Sequence, residues 1–203
     1  MEQYILKYSA EIYELEQAGK WKTVADLVFH QWRTGPMNFN QLLCAGVELW
    51  YALLVYDYCR NSPPPIDDIE LPENDFQLQC NLMEVTRWGF QHFSYNAAFN
   101  AYFGYMMKVM PYYFIDYNGD YDGWQQKGIS MMRYSYSLDP VSPFTKAMFY
   151  EPDYYNRDTP FYDACKELWS TITPEEWGKC EAQQYFFRIL FGDSFYPNAY
   201  DEA

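Results

Sequence analysis

Apolar residues recur at helical spacing along most of this chain. Tyr4, Tyr8, Ile12 and Leu15 share one face, and Gly19 stands where a helix end needs a residue free to adopt left-handed backbone. A second helix is predicted from Trp21 to Arg33, closed by Gly35-Pro36. The third, about Asn40 to Cys59, contains LLCAGVELWYALLVY from Leu42 to Tyr56, apolar on nearly every side except at Glu48. That run is shorter than the roughly 20 apolar residues of a membrane span and carries an acid, so it is read as the central helix of a bundle. Pro63-Pro64-Pro65 stops it, and NSPPPIDDIELPEND from Asn61 to Asp75 is a loop by composition.

Further helices are predicted over Phe76 to Phe93 and Tyr95 to Met110, the latter broken by Pro111. Another fits Trp124 to Tyr136, stopped at Leu138-Asp139-Pro140, and a last pair fits Phe161 to Trp169 and Pro174 to Phe191. Thr173-Pro174-Glu175-Glu176 supplies a cap, a proline at the first helical position and an acid three residues on from the cap. No β alternation or hairpin dipeptide interrupts the pattern, so the expected fold is all-α, one domain over residues 1–203.

The spacing from Gly19 to Pro36 repeats from Gly123 to Pro140, each pair bracketing a helix that opens on Trp21 or Trp124. With SLDP at 137–140 and the small residues Gly128 and Ser135, this resembles a tetratricopeptide-type helical hairpin, which implies stacked antiparallel hairpins. The sequence departs from that family in lacking its Trp-Leu-Gly-Tyr pattern upstream, and Ala25 is one position off.

Composition adds a second layer. Aromatic residues make up 22% of the chain, enough both to fill a core and to furnish a binding surface. A formal net charge of -14 repels nucleic acid and anionic lipid and favours a basic protein partner. Cys44, Cys59, Cys80, Cys165 and Cys180 form no C-x-x-C pair and are odd in number, which suits reduced thiols in the cytoplasm. MEQYILKYSAEIYELEQ places acids where a secretory leader needs bases, so the chain is expected to be intracellular and unprocessed.

Candidate chemistry is sparse. DYNGDYDG at 116–123 resembles a calcium loop, but counting from Asn118 puts Ile129 at the twelfth position. Counting from Asp116 puts Tyr121 where glycine is required and Lys127 where glutamate is required. His30 and His92 are each alone, and no nucleophile or phosphate-loop signature occurs. Asp67-Asp68 with Glu70 resembles an acidic metal motif of helical isoprenoid enzymes but lies in a proline-rich loop and is read as solvated. Glu48, inside the apolar run, is expected to pair with an arginine such as Arg33 or Arg87. The expectation is therefore a non-enzyme without metal or cofactor.

Acids and aromatics coincide in three loops, which supply the candidate partner-binding residues. They are Asp67, Asp68 and Glu70 in the first, and Tyr117, Asp120, Tyr121, Asp122 and Trp124 in the second. Asp153, Tyr154, Tyr155 and Asp158 form the third. Rigid amphipathic rings give contact area while acids steer a basic partner. In composition and architecture the chain resembles immunity proteins of bacterial toxin systems, including the contact-dependent growth inhibition type. That resemblance implies neutralisation of a basic toxin, a nuclease foremost, by covering its active site. The alternative is a tetratricopeptide-like adaptor or chaperone holding a peptide in a concave helical groove.

Overall fold

The computed structural model describes residues 4–36, 38–61, 69–70, 74–115, 120–150, 159–171 and 180–191. Among them are nine α-helices, short 3₁₀ segments and no strand. In chain order the helices are α1 (Ala10–Gln17), α2 (Trp21–Thr34), α3 (Phe39–Asn61), α4 (Phe76–Phe93) and α5 (Ala97–Val109). After a 3₁₀ turn at Pro111–Phe114 come α6 (Tyr121–Leu138), α7 (Pro143–Phe149), α8 (Pro160–Thr171) and α9 (Glu181–Phe191).

Helix α3 is the centre. Leu42 to Trp50 is buried without interruption, and α2, α4, α5 and α9 all pack against it. Its length and apolarity would suffice to cross a membrane, yet 72% of its most apolar window is buried inside the bundle. The aromatic excess fills the surrounding core. Phe186 of α9 lies between Trp50, Tyr102 and Tyr105, with centroid separations of 5.9, 4.8 and 5.1 Å. Phe144 of α7 stacks at a tilt on Tyr4 and Tyr102, 4.8 and 5.3 Å away.

The chain start departs from its helical spacing. The helix begins only at Ala10, and the backbone of Lys7 is instead satisfied by one side chain. The Lys7 N–H donates to Asn40 Oδ1 at 3.1 Å, and Asn40 Nδ2 donates to the Lys7 carbonyl at 3.0 Å. Tyr4 and Leu6 are both buried, and the Tyr4 hydroxyl donates to Asp139 Oδ2 at 2.6 Å, 135 residues away. A tertiary anchor thus overrides the local period.

Gly19 ends α1 as expected. Its φ of 67° is left-handed, its N–H donates to the Glu16 carbonyl, and the Lys20 N–H donates to the Leu15 carbonyl, a Schellman closure. Gly123 has a different role. Asp120 caps α6 by accepting the Gly123 N–H at 2.9 Å, so α6 starts at Tyr121 and Gly123 lies within its first turn. The two glycines are therefore not equivalent bends. Helix α7 escaped the pattern because it is short. Pro143 opens it and the Thr145 hydroxyl donates to the Asp139 and Ser142 carbonyls. The last helix begins at Glu181, not Pro174, with Cys180 outside it; Thr173 to Glu176 lie beyond the described residues.

Helices α5 and α6 make the most extensive contact between described elements, and Gly104 and Gly128 set their separation. A Cβ on Gly128 would lie 2.5 Å from the Gly104 carbonyl oxygen and 2.6 Å from the Lys108 amide nitrogen, both backbone atoms. Buried Ser135, two turns on, donates to the Ala97 carbonyl at 2.7 Å. Gly128→Ala should therefore force the helices apart and cost ~1–3 kcal/mol. Urea denaturation should show a lower midpoint at unchanged slope; an unchanged or higher midpoint would contradict this packing.

Candidate functional site

Two features combine polar chemistry with unusual placement. The first is an exposed acidic and aromatic face where the C-terminal half of α3, the 3₁₀ turn and the start of α6 meet. Asp57 on α3 accepts the Tyr113 hydroxyl at 2.7 Å, and the Tyr112 ring crosses the Tyr113 ring with centroids 4.4 Å apart. Tyr112 is itself exposed, and its phenol is pushed up by partial burial and by the nearby Asp57 and Tyr121. Asp120, Tyr121 and Asp122 follow at the start of α6, all exposed. Tyr58, next to Asp57, is 66% exposed.

The candidate residues from the sequence divide accordingly. Of these, Tyr121 lies near Tyr112, which neighbours Asp57; Asp120 and Asp122 flank Tyr121 in the chain, and Asp120 is engaged in capping α6. Asp57 and Tyr112 carry no loop signal because they lie on a helix and in a helical turn. Trp124 is half-buried against Phe114, at 6.0 Å between centroids, and Lys127 Nζ lies 4.8 Å from its ring. Glu70 is engaged within the chain. Thr23 Oγ1 donates to its Oε2 at 3.1 Å, Lys20 Nζ is 4.0 Å away, and its backbone joins Gly19 and Lys22 at the α1–α2 turn. Asp67, Asp68, Tyr117, Asp153, Tyr154, Tyr155 and Asp158 lie outside the described residues. The histidines are far apart in role: His30 is exposed, and His92, also exposed, stacks on Trp88 at 4.2 Å.

The second feature is buried. Glu16 on α1, Glu48 on α3 and Cys180 before α9 converge, at 2%, 1% and 0% exposure. Cys180 Sγ lies 3.0 Å from Glu16 Oε1 and 2.8 Å from Glu48 Oε1. Glu16 also accepts the Glu181 N–H at 2.8 Å and the Ala182 N–H at 3.2 Å, so its carboxylate caps α9 from another helix. Neither of the arginines expected as partners for Glu48, Arg33 and Arg87, reaches it. Arg33 instead lies 3.6 Å from Glu84 on the exposed flank, and Arg87 is exposed.

Two buried carboxyls in contact cannot both ionise without large cost. Burial raises both above the usual carboxylate range, Glu48 further because Glu16 adds repulsion, while backbone N–H donors oppose the rise at Glu16. The consistent assignment is an ionised Glu16 at the helix N-terminus and a protonated Glu48. The Cys180 thiol is the donor to both carboxyl oxygens, Glu48 Oε1 and Glu16 Oε1, which share its one proton. Burial and both acids hold the Cys180 thiol far above its ordinary value, so it lacks the thiolate that nucleophilic chemistry requires. Tyr8 approaches Glu48 and Cys44, but its hydroxyl meets neither in hydrogen-bonding geometry.

Glu16 also lines a cavity of about 780 Å³ bounded by Gly19, Leu54, Tyr58 and Glu181. Trp21, Tyr51 and Tyr185 form a continuous aromatic wall along it, with centroids 5.0 and 5.1 Å apart. Burial, with Glu181 and Glu16 next in effect, pushes the Tyr51 phenol up, so this wall lies in a negative field. Tyr58 belongs both to the cavity rim and to the neighbourhood of the acidic face.

Glu48 gives a pH signature. Its folded pKa is raised, so its proton-linked stability is fully present below the unfolded value of about 4.3 and is lost as pH rises toward the folded pKa. Within that window one such proton changes stability by about 1.4 kcal/mol per pH unit. Glu48→Gln keeps the shape and removes the ionisation. In chelator-containing buffer its stability relative to the native chain should grow from pH 5 to pH 8, as read by urea denaturation. A difference independent of pH would place the titration elsewhere.

Set against known protein families, characterised proteins and solved structures, the chain matches none, so its function is argued from this geometry alone.

Proposed function

We propose that this protein is an immunity protein that binds a basic toxin domain, a nuclease foremost, and covers its active site. The observation that carries this reading is the neighbourhood of Asp57, Tyr112 and Tyr121, with exposed Asp120 and Asp122 flanking Tyr121, on a chain of net charge -14. A cleft that binds phosphates presents lysines and arginines, and carboxylates set beside rigid phenol rings complement it in both charge and area. The caps and rings that fix this face reduce the ordering cost of association. Binding, not catalysis, is the activity proposed.

A second reading is an adaptor or chaperone of stacked, tetratricopeptide-like hairpins. It is favoured by the cavity with its Trp21–Tyr51–Tyr185 wall, which offers apolar surface to a peptide side chain. Ionic strength separates the two, since an acidic face steers a basic partner and an apolar groove does not.

The test is capture of the partner from the native cell, followed by assay of its nuclease activity. The expected partner is a basic domain whose activity this protein abolishes, with an association rate that falls at least roughly tenfold between low and high salt. Replacing Asp57, Asp120 and Asp122 by Asn, with Tyr112 and Tyr121 by Ala, should weaken binding by at least about a hundredfold, or ~2.7 kcal/mol. Unchanged affinity would remove this face from the interface. Recovery of many unrelated peptides with salt-independent affinity would replace the immunity reading by the adaptor.

A further inference from the structure

The Glu16–Glu48–Cys180 cluster has more ligating capacity than the chain uses. Its three ligand atoms, one from each residue, lie within 4.8 Å of one another, although the residues are 32, 132 and 164 positions apart. Glu48 is 1% exposed, yet its Oε2 has no hydrogen-bond partner. The Tyr8 hydroxyl, approaching the same carboxyl, is also unsatisfied. Buried polar atoms are nearly always paired, so two orphans at one cluster point to a group that would join them. The neighbouring cavity, of which Glu16 forms part of the wall, provides a way in.

We propose that Glu16, Glu48 and Cys180 form a buried site for one divalent transition-metal ion of the zinc class. Sulfur selects against calcium and magnesium, which take oxygen shells, and three protein ligands suit a four-coordinate ion with one further position. The Tyr8 hydroxyl or a water completes that position. Present S···O separations of 2.8 and 3.0 Å are hydrogen-bond lengths. Around an ion with bonds of about 2.0–2.3 Å, tetrahedral ligands stand roughly 3.5 Å apart, so the side chains spread by about half an ångström. Glu48 can do so because only one of its oxygens is tied.

The charges balance. An ionised Glu16, a protonated Glu48 and the Cys180 thiol take up one M²⁺ and release two protons, leaving two carboxylates and a thiolate on the metal. Glu16 keeps its backbone N–H bonds, since each carboxylate oxygen has a second lone pair. The helix N-terminus of α9 offsets part of the remaining negative charge.

Cobalt(II) is the probe, because a thiolate ligand produces a charge-transfer band in the near ultraviolet and tetrahedral geometry produces intense visible bands. The full chain, stripped with chelator and dialysed, should bind one Co²⁺ with both signatures and lose them to equimolar Zn²⁺. Glu48→Gln should weaken binding at least tenfold while the chain stays folded. Cys180→Ser should abolish the charge-transfer band, and Cys80→Ser, at an exposed thiol, should leave it intact. Absence of the bands in the native chain overturns the site. So does loss of the band in Cys80→Ser alone, which assigns the ion to an exposed thiol. If Cys180→Ser does not fold, the Glu48→Gln titration decides, and native affinity there overturns the proposal.

Discussion

A helix apolar around its whole circumference has to be covered on every side, and α3 imposes that requirement on this chain. Four helices answer it, α2, α4, α5 and α9, and their arrangement follows from the area each can bury. Glu48 complicates the solution. Placing an ionised carboxyl at the middle of such a helix costs several kcal/mol unless it is neutralised or paired. The fold neutralises it with a proton and surrounds it with a thiol and a second carboxyl. That cluster joins α1, α3 and α9, so the last described helix is fastened to the first.

The same cluster joins energetics to surface chemistry. Glu16 caps α9 and thereby sets Phe186 among Trp50, Tyr102 and Tyr105, while its other side faces the aromatic cavity. A side chain that holds a helix in place thus also shapes a recess at the surface. At the far end of α3, Asp57 plays a comparable double part. It accepts the buried Tyr113 hydroxyl and sits beside the exposed Tyr112. Acids at the middle and toward the C-terminal end of one central helix thus define the proton-linked centre and the proposed binding face.

Much of the secondary structure was legible because local signals agreed with tertiary demand. Trp21 to Arg33 and Phe76 to Phe93 differ from α2 and α4 by at most one residue, since each helix carries an apolar stripe and a clear stop. The misses have separate causes. Tyr4 to Tyr8 had helical spacing, but Asn40 captured the Lys7 backbone and Asp139 captured Tyr4. Gly123 looked like a bend because its spacing matched Gly19, whereas the Asp120 cap drew it into α6. Helix α7 was too short for periodicity to register. Local composition singled out Asp120 to Asp122 as candidates and gave no signal for Tyr112 or Asp57, which the packing of the 3₁₀ turn on α3 brings into one neighbourhood with Tyr121.

By itself the sequence determined an all-α chain, a central apolar helix with one misplaced acid, an acidic surface and free thiols, because each is written in composition or short-range spacing. Which partner Glu48 would take was not written there. Arg33 and Arg87 were the chemically obvious candidates, and the fold sent both outward and brought in Glu16 and Cys180 instead. Tertiary structure alone decided this, since contacts spanning 132 and 164 positions have no periodicity in the sequence and arise only when α9 closes on α1 and α3.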